Sequence, residues 1–288
     1  MDIPSYYASQ SAFTDPGAQS GLCADLPETV PELVKVVQGV CLLFEERYKY
    51  PIQNERFLET NLRYVEDILK QIVSLNKTMP LTQTHPEDQR FMASSSHFAM
   101  LLCAMLRLKG IPARKRTGFI SFDGYRRRHS FDGYYRIHDI VEYLDGGEWK
   151  QVDPTGVAKD FVPAGAAWLD AHDGMADEAK FRDEEHRGLE VARAALMLDL
   201  AGMMKIELLH WDRYGWMLVP LTDFHDYEWG VLNRLGALLK GGDEMHDALT
   251  ALYQSETGLQ VPEKIRSDSP LVPPYTVELK EAHGLWQM

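Results

Sequence analysis

The chain has 288 residues, of which 45% are hydrophobic, 25% charged and 10% aromatic. This is the profile of a globular protein long enough for one large domain or two modest ones. Its 30 Lys+Arg against 43 Asp+Glu leave a formal charge of −13, which argues against nucleic acid or an anionic membrane as partner. Three widely spaced cysteines, Cys23, Cys41 and Cys103, form no CxxC pair, so neither a disulfide framework nor a cysteine zinc site is supported. The longest apolar run, residues 98–106, falls far short of the roughly 18 residues that suggest a membrane span. The opening Met1-Asp2-Ile3-Pro4-Ser5 lacks the basic-then-apolar pattern of a secretion signal, and a cytoplasmic protein is expected.

Residues 1–27 are polar and weakly periodic, which predicts irregular structure. Apolar residues recur at helical spacing over 31–48 and 57–75, and Pro80 and His85-Pro86 mark a loop between 78 and 87. Next comes a run opened by Ser94-Ser95-Ser96 and closed by Gly110 and Pro112, the start and stop signals of a helix. It is apolar almost all round, so it belongs in the middle of the fold. Strand composition follows over 114–122, 134–144 and 148–153. Helical patterns return at 184–204, 227–240 and 243–253, before a tail made extended by Pro262, Pro270, Pro273 and Pro274. The sum is an α+β core over residues 1–165, with a buried central helix on an antiparallel sheet, and a helical C-terminal extension over 166–288.

Two local features stand out. Arg107, Lys109, Arg114, Lys115, Arg116, Arg126, Arg127, Arg128 and Arg136 crowd one region. Such a cluster is either a solvated face of strands and loops or a local site for a carboxylate, a phosphate or an acidic carrier. In addition, residues 121–129 (SFDGYRRRH) and 130–138 (SFDGYYRIH) are identical at seven of nine positions, a tandem duplication that supplies two histidines, His129 and His138.

The hairpin that follows favours His138. A two-residue turn at Asp145-Gly146 sets Glu142 opposite Trp149 and His138 opposite Asp153, close enough for a carboxylate to orient an imidazole. A turn at Gly146-Gly147 moves the register and sets His138 opposite Thr155. Strand alternation also puts Arg136 on the face of His138, where a guanidinium can grip an anionic group. The serines at 94–96 allow two readings. They cap the helix, or one of them is a hydroxyl placed where the helix dipole favours negative charge.

The run Ser95-Ser96-His97-Phe98-Ala99, with Gly110-Ile111-Pro112-Ala113-Arg114 and Gly118-Phe119, resembles the transglutaminase-like superfamily, whose pattern is Cys-x-x-Phe-Ala, a helix, and Gly-Ile-Pro-Ala-Arg before an aromatic strand. His138-x-x-x-Glu142 and Trp149-x-x-Val152-Asp153-Pro154-Thr155 resemble its histidine and aspartate blocks. The stretch from Lys205 through His210-Trp211-Asp212, with the helices up to Pro262, is similar to bacterial stand-alone members. The resemblance implies a transglutaminase-like, papain-like fold. It places the family's catalytic cysteine on Ser95, its histidine on His138 and its aspartate on Asp153. Ser95 departs from the cysteine, Ala93 from a common glycine, and Asp139 from the small or aromatic residue usual after the histidine. Cys103, two turns further along the same helix, reads as core.

The family reaction is attack on an amide carbonyl to give an acyl-enzyme, released by an amine or water. Serine is a weaker acid than cysteine, so Ser95 needs His138 as a true general base. Ser-His-Asp sites work on several folds. Three readings follow: a serine-dependent acyl transferase or hydrolase, a pseudoenzyme that binds through the same pocket, and an acid–base enzyme using His138 without a covalent step. A small-molecule, peptidyl or carrier-bound substrate is expected, anionic if Arg136, Arg126, Arg127 and Arg128 hold it. No cofactor or metal is expected, and no HExxH spacing occurs.

Overall fold

The computed structural model describes residues 2–121, 133–183, 186–270 and 272–280. In chain order, helices α1 (Ile3–Ala8) and α2 (Val30–Val40) lead into strand β1 (Cys41–Leu43), and α3 (Val65–Leu75) precedes strand β2 (Phe91–Ala93) and helix α4 (Ser95–Leu108). Strands β3 (Ala113–Ser121), β4 (Tyr135–Asp145), β5 (Glu148–Val152) and β6 (Phe161–Pro163) follow. Helices α5 (Ala164–His172) and α6 (Leu189–Met203), the two-residue strand β7 (Asp212–Arg213), helices α7 (Asp226–Lys240) and α8 (His246–Ser255), and strands β8 (Lys264–Ser267) and β9 (Tyr275–Glu278) complete the chain. Among the described residues no helix is long and apolar enough to cross a membrane.

The architecture is α+β. An antiparallel sheet in the order β5-β4-β3-β6 carries α4, every residue of which from Ser95 to Arg107 is buried. The apolar pattern of that helix explains its position: with no polar face to offer water, it is stable only when surrounded. The hydrophobic cluster around it draws on Phe13, Leu33, Ile68, Phe91, Val141, Leu196, Leu232 and Val261, so it is continuous across residue 165.

Helix α6 solves an edge problem. Strand β6 pairs β3 only from Gly118 to Ile120, leaving the earlier part of that edge open. There the Thr117 amide donates to Asp199 Oδ1 at 2.8 Å, and Gly202 lies against the Lys115 carbonyl, which would stand 2.9 Å from a Cβ at that position. A side chain at 202 would push the helix off the strand.

Three expectations are corrected. The helix expected over 31–48 stops at Val40, because Cys41–Leu43 pairs in parallel with Phe91–Ala93 beside the start of α4. Over 57–75, Asn54–Asn61 is a 3₁₀ segment and the α-helix begins only at Val65. The N-terminal stretch is more ordered than its polarity suggests, with α1 placing a fully buried Tyr7 whose hydroxyl donates to the Met203 carbonyl at 2.9 Å.

The basic cluster is also corrected. Arg107, Arg114, Lys115 and Arg116 are buried rather than solvated. Arg107 pairs with Glu207 at 2.9 Å, Arg114 with Glu142 at 2.8 Å, Lys115 with Asp139 at 2.8 Å and Arg116 with Asp199 at 2.9 Å. Paired burial is what makes such groups tolerable inside a protein. Arg116 joins β3 to α6, Arg107 joins α4 to the segment after α6, and the other two pairs lie between β3 and β4, so none of the four is available to a ligand.

Candidate active site

The β4–β5 turn is Gly146-Gly147, both glycines at positive φ (62° and 87°), so Asp145 faces Glu148 and Val141 faces Val152. This is the second of the two registers allowed by the sequence. Two adjacent glycines supply the left-handed pair that a type I′ turn requires more easily than Asp-Gly does. Pairing ends at Val152, and the chain then curls so that Asp153 Oδ1 still lies 3.0 Å from His138 Nε2, with Thr155 Oγ1 at 3.5 Å.

Asp153 is held from all sides. It accepts backbone N–H bonds from Thr155 at 3.0 Å, Val157 at 2.9 Å and Ala158 at 2.8 Å, together with the Thr155 hydroxyl. Burial raises its pKa, but the His138 hydrogen bond and charge, with the Ala158 N–H and the Thr155 hydroxyl, outweigh burial and hold the carboxyl down at about 2. A carboxylate so fixed accepts a hydrogen bond from the imidazole, so His138 Nε2 carries hydrogen and Nδ1 is the basic nitrogen.

Ser95 is the first residue of α4, and Ser94 is its N-cap. The amides at the start of a helix have no intrahelical acceptor and favour negative charge nearby. Ser95 Oγ makes no hydrogen bond to His138. It accepts the N–H of Asp139, the residue after His138, at 3.1 Å and lies 3.3 Å from His210 Nε2. Ser95 and His138 are each only 5% exposed, so the site is nearly closed.

The neighbouring serines have other work. Ser96 Oγ donates to Asp139 Oδ2 at 2.7 Å. Ser94 N–H donates to His97 Nδ1 at 3.0 Å, while His97 Nε2 donates to the Leu62 carbonyl at 3.0 Å. Two backbone groups therefore fix the His97 tautomer, and burial drives its pKa down to about 3. His97 is a neutral structural ring.

Sequence reasoning passed over His210 and treated Asp139 only as a departure. Asp139 is fully buried, and its carboxylate collects Lys115, Thr117, Ser96 and His210, the last at 3.0 Å. Burial raises its pKa, but the charges of Lys115 and His210 push it well below the ordinary carboxylate range. The available signal was the His210-Trp211-Asp212 run, but no spacing rule connects it to a strand so far away in sequence.

His210 also lines a cleft with Arg136, Trp211, Arg213, Arg182 and Asp183. Glu45 and Asp268 join its wall, so both signs of charge are present. The Trp211 indole N–H is buried without a hydrogen-bond partner among the described residues. Arg136 thus reaches the cleft, whereas Arg126, Arg127, Arg128 and His129 lie outside the described residues.

Comparison with known families gives one match: residues 49–154 fit the model of the transglutaminase-like superfamily. The matched stretch contains Ser95, His138 and Asp153 and excludes His210. Searches of curated proteins and of solved structures give no match.

Proposed function

Starting from a chain whose residues 49–154 match the transglutaminase-like superfamily, we propose that the protein transfers or hydrolyses an acyl group, with Ser95 as nucleophile, His138 as base and Asp153 as its orienting carboxylate. The observation that carries this reading is the 3.0 Å His138–Asp153 bond, which leaves Nδ1 basic one residue from the amide that donates to Ser95. In the reaction, His138 takes the Ser95 hydroxyl proton as Oγ bonds to the carbonyl carbon. The tetrahedral anion collapses with return of that proton to the leaving amine or alcohol, and water or a second amine repeats the cycle on the acyl-enzyme. The first amides of α4 favour the negative charge that develops at this end of the helix.

A binding-only role needs neither a basic Nδ1 nor a carboxylate held by three amides. The cleft bears on the substrate. Arg114, Lys115 and Arg116 cannot grip an anion, since each is committed to a buried carboxylate. The cleft beside His210 has a wall of mixed charge, to which Arg136, Arg182, Arg213, Asp183 and Asp268 contribute. This suits a carbonyl-bearing peptide or carrier-bound segment better than a simple anion. The test is turnover of an activated ester and release of ammonia from a glutamine-containing peptide. Wild type is expected to act on at least one of them, and Ser95→Ala on neither. Equal turnover by the two proteins overturns the assignment.

A further inference from the structure

Ser95 Oγ has two lone pairs, and two N–H groups lie within reach of them. One is the Asp139 amide at 3.1 Å, and the other is His210 Nε2 at 3.3 Å. The direction of the second bond follows from Asp139. His210 Nε2 stands 3.0 Å from Asp139 Oδ2, a carboxylate already ionised by its contact with Lys115. A lone pair on that nitrogen would face a negative oxygen, so Nε2 carries hydrogen and shares it between Asp139 and Ser95. His210 therefore cannot take the Ser95 proton through this nitrogen. It is a donor.

Asp139 does not depend on His210 for satisfaction, because Lys115, Ser96 and Thr117 already serve its two oxygens. The segment bearing His210 is itself pinned. Arg213 donates to the His210 carbonyl at 2.6 Å, the Asp268 amide to the Trp211 carbonyl at 2.9 Å, and Asp212 accepts both Arg63 and the Leu209 amide. The segment that carries this ring, outside the family-matched stretch, is thus fixed with Nε2 directed at Asp139 Oδ2 and Ser95 Oγ.

We propose that His210 is a catalytic residue of this site: with the Asp139 amide, it forms a two-donor cradle for the negative charge that develops on the reacting atom at position 95. The proposal rests on Ser95 being the nucleophile. As the O–H bond breaks, the proton goes to His138 Nδ1. The electron pair of the breaking bond, met by both N–H groups, forms the bond to the acyl carbon as the proton leaves. His210 ends the step unchanged. Lys115 from β3 pairs with Asp139 and Arg213 donates to the His210 carbonyl, while Arg136, Arg182, Asp183, His186 and Asp268 line the cleft beside the His210 ring.

The cradle is measured on Ser95→Cys, whose thiolate is the anion in question, by the pH dependence of iodoacetamide alkylation. The thiol is expected to ionise below the usual value of about 8.5. Adding His210→Leu should raise its pKa by about one unit, a roughly tenfold loss of alkylation rate below both values. His210→Gln, which keeps a donor, should restore most of that shift. An unchanged pKa in the leucine variant, or glutamine behaving like leucine, overturns the proposal. If His210→Leu does not fold, the ¹⁵N resonance of His210 Nε2 in Ser95→Cys decides. It must titrate together with ionisation of the introduced thiol, and a flat response is the contrary result. Failure of the nucleophile reading shows separately, as ester turnover that survives Ser95→Ala while the thiol pKa still follows His210.

Discussion

The Arg116 guanidinium meets the Asp199 carboxylate at two points, Nε to Oδ1 and Nη2 to Oδ2, each 2.9 Å, with Asp199 fully buried. The same carboxylate accepts the Thr117 amide on the open edge of β3. One side chain on α6 thus neutralises a strand arginine and caps a strand amide.

Removing it leaves both uncompensated. Asp199→Ala is expected to destabilise the protein by about 3–5 kcal/mol, the cost of stranding a buried charge. Urea unfolding of the variant should show a lower midpoint at similar slope. A loss under about 1 kcal/mol would mean that Glu142, also 2.9 Å from Arg116, suffices by itself.

His97 gives a pH dependence with a defined sign. Its folded pKa of about 3 lies below the ordinary imidazole value of 6.5, so below pH 6.5 the unfolded chain binds a proton that the folded one refuses. Its contribution to stability is fully present above about pH 6.5 and is lost as pH falls toward about 3. Glutamine can accept from Ser94 and donate to Leu62 without titrating. Stability of His97→Gln between pH 6.5 and 4 should therefore fall less steeply than that of wild type. Equal slopes would show that the ring is not the group responsible.

Asp153 acts lower on the scale. Depressed from 3.8 to about 2, it contributes stability above about pH 4 that is lost as pH falls through about 2. Asp153→Asn should flatten that acid arm. It should also cut acyl turnover by about 10²–10⁴-fold, since the base loses its orienting carboxylate. Retained turnover with an altered acid arm would make Asp153 a purely structural residue.

Much of this was legible in the sequence. Serine before an apolar run, and Gly110 with Pro112 after it, located the buried helix to within a residue of its observed start. Strand composition located β3, β4 and β5. Composition could not decide between two adjacent dipeptide turns, and Gly146-Gly147 won because both residues sit at positive φ. Nor could a charge run reveal its partners. Arg114, Lys115 and Arg116 look solvated until Glu142, Asp139 and Asp199 are seen against them. The same holds for His210, which reaches Ser95 across 115 positions of chain through a contact that no local period encodes.

The most direct measurement is the intact mass of the protein after brief exposure to p-nitrophenyl acetate, followed by peptide mapping. A covalent serine route predicts a single acetyl group on Ser95 in wild type, much reduced in His138→Ala and absent in Ser95→Ala. An acetyl adduct mapped elsewhere and undiminished in Ser95→Ala, or none in a wild-type protein that turns the ester over, would rule out Ser95 as the nucleophile.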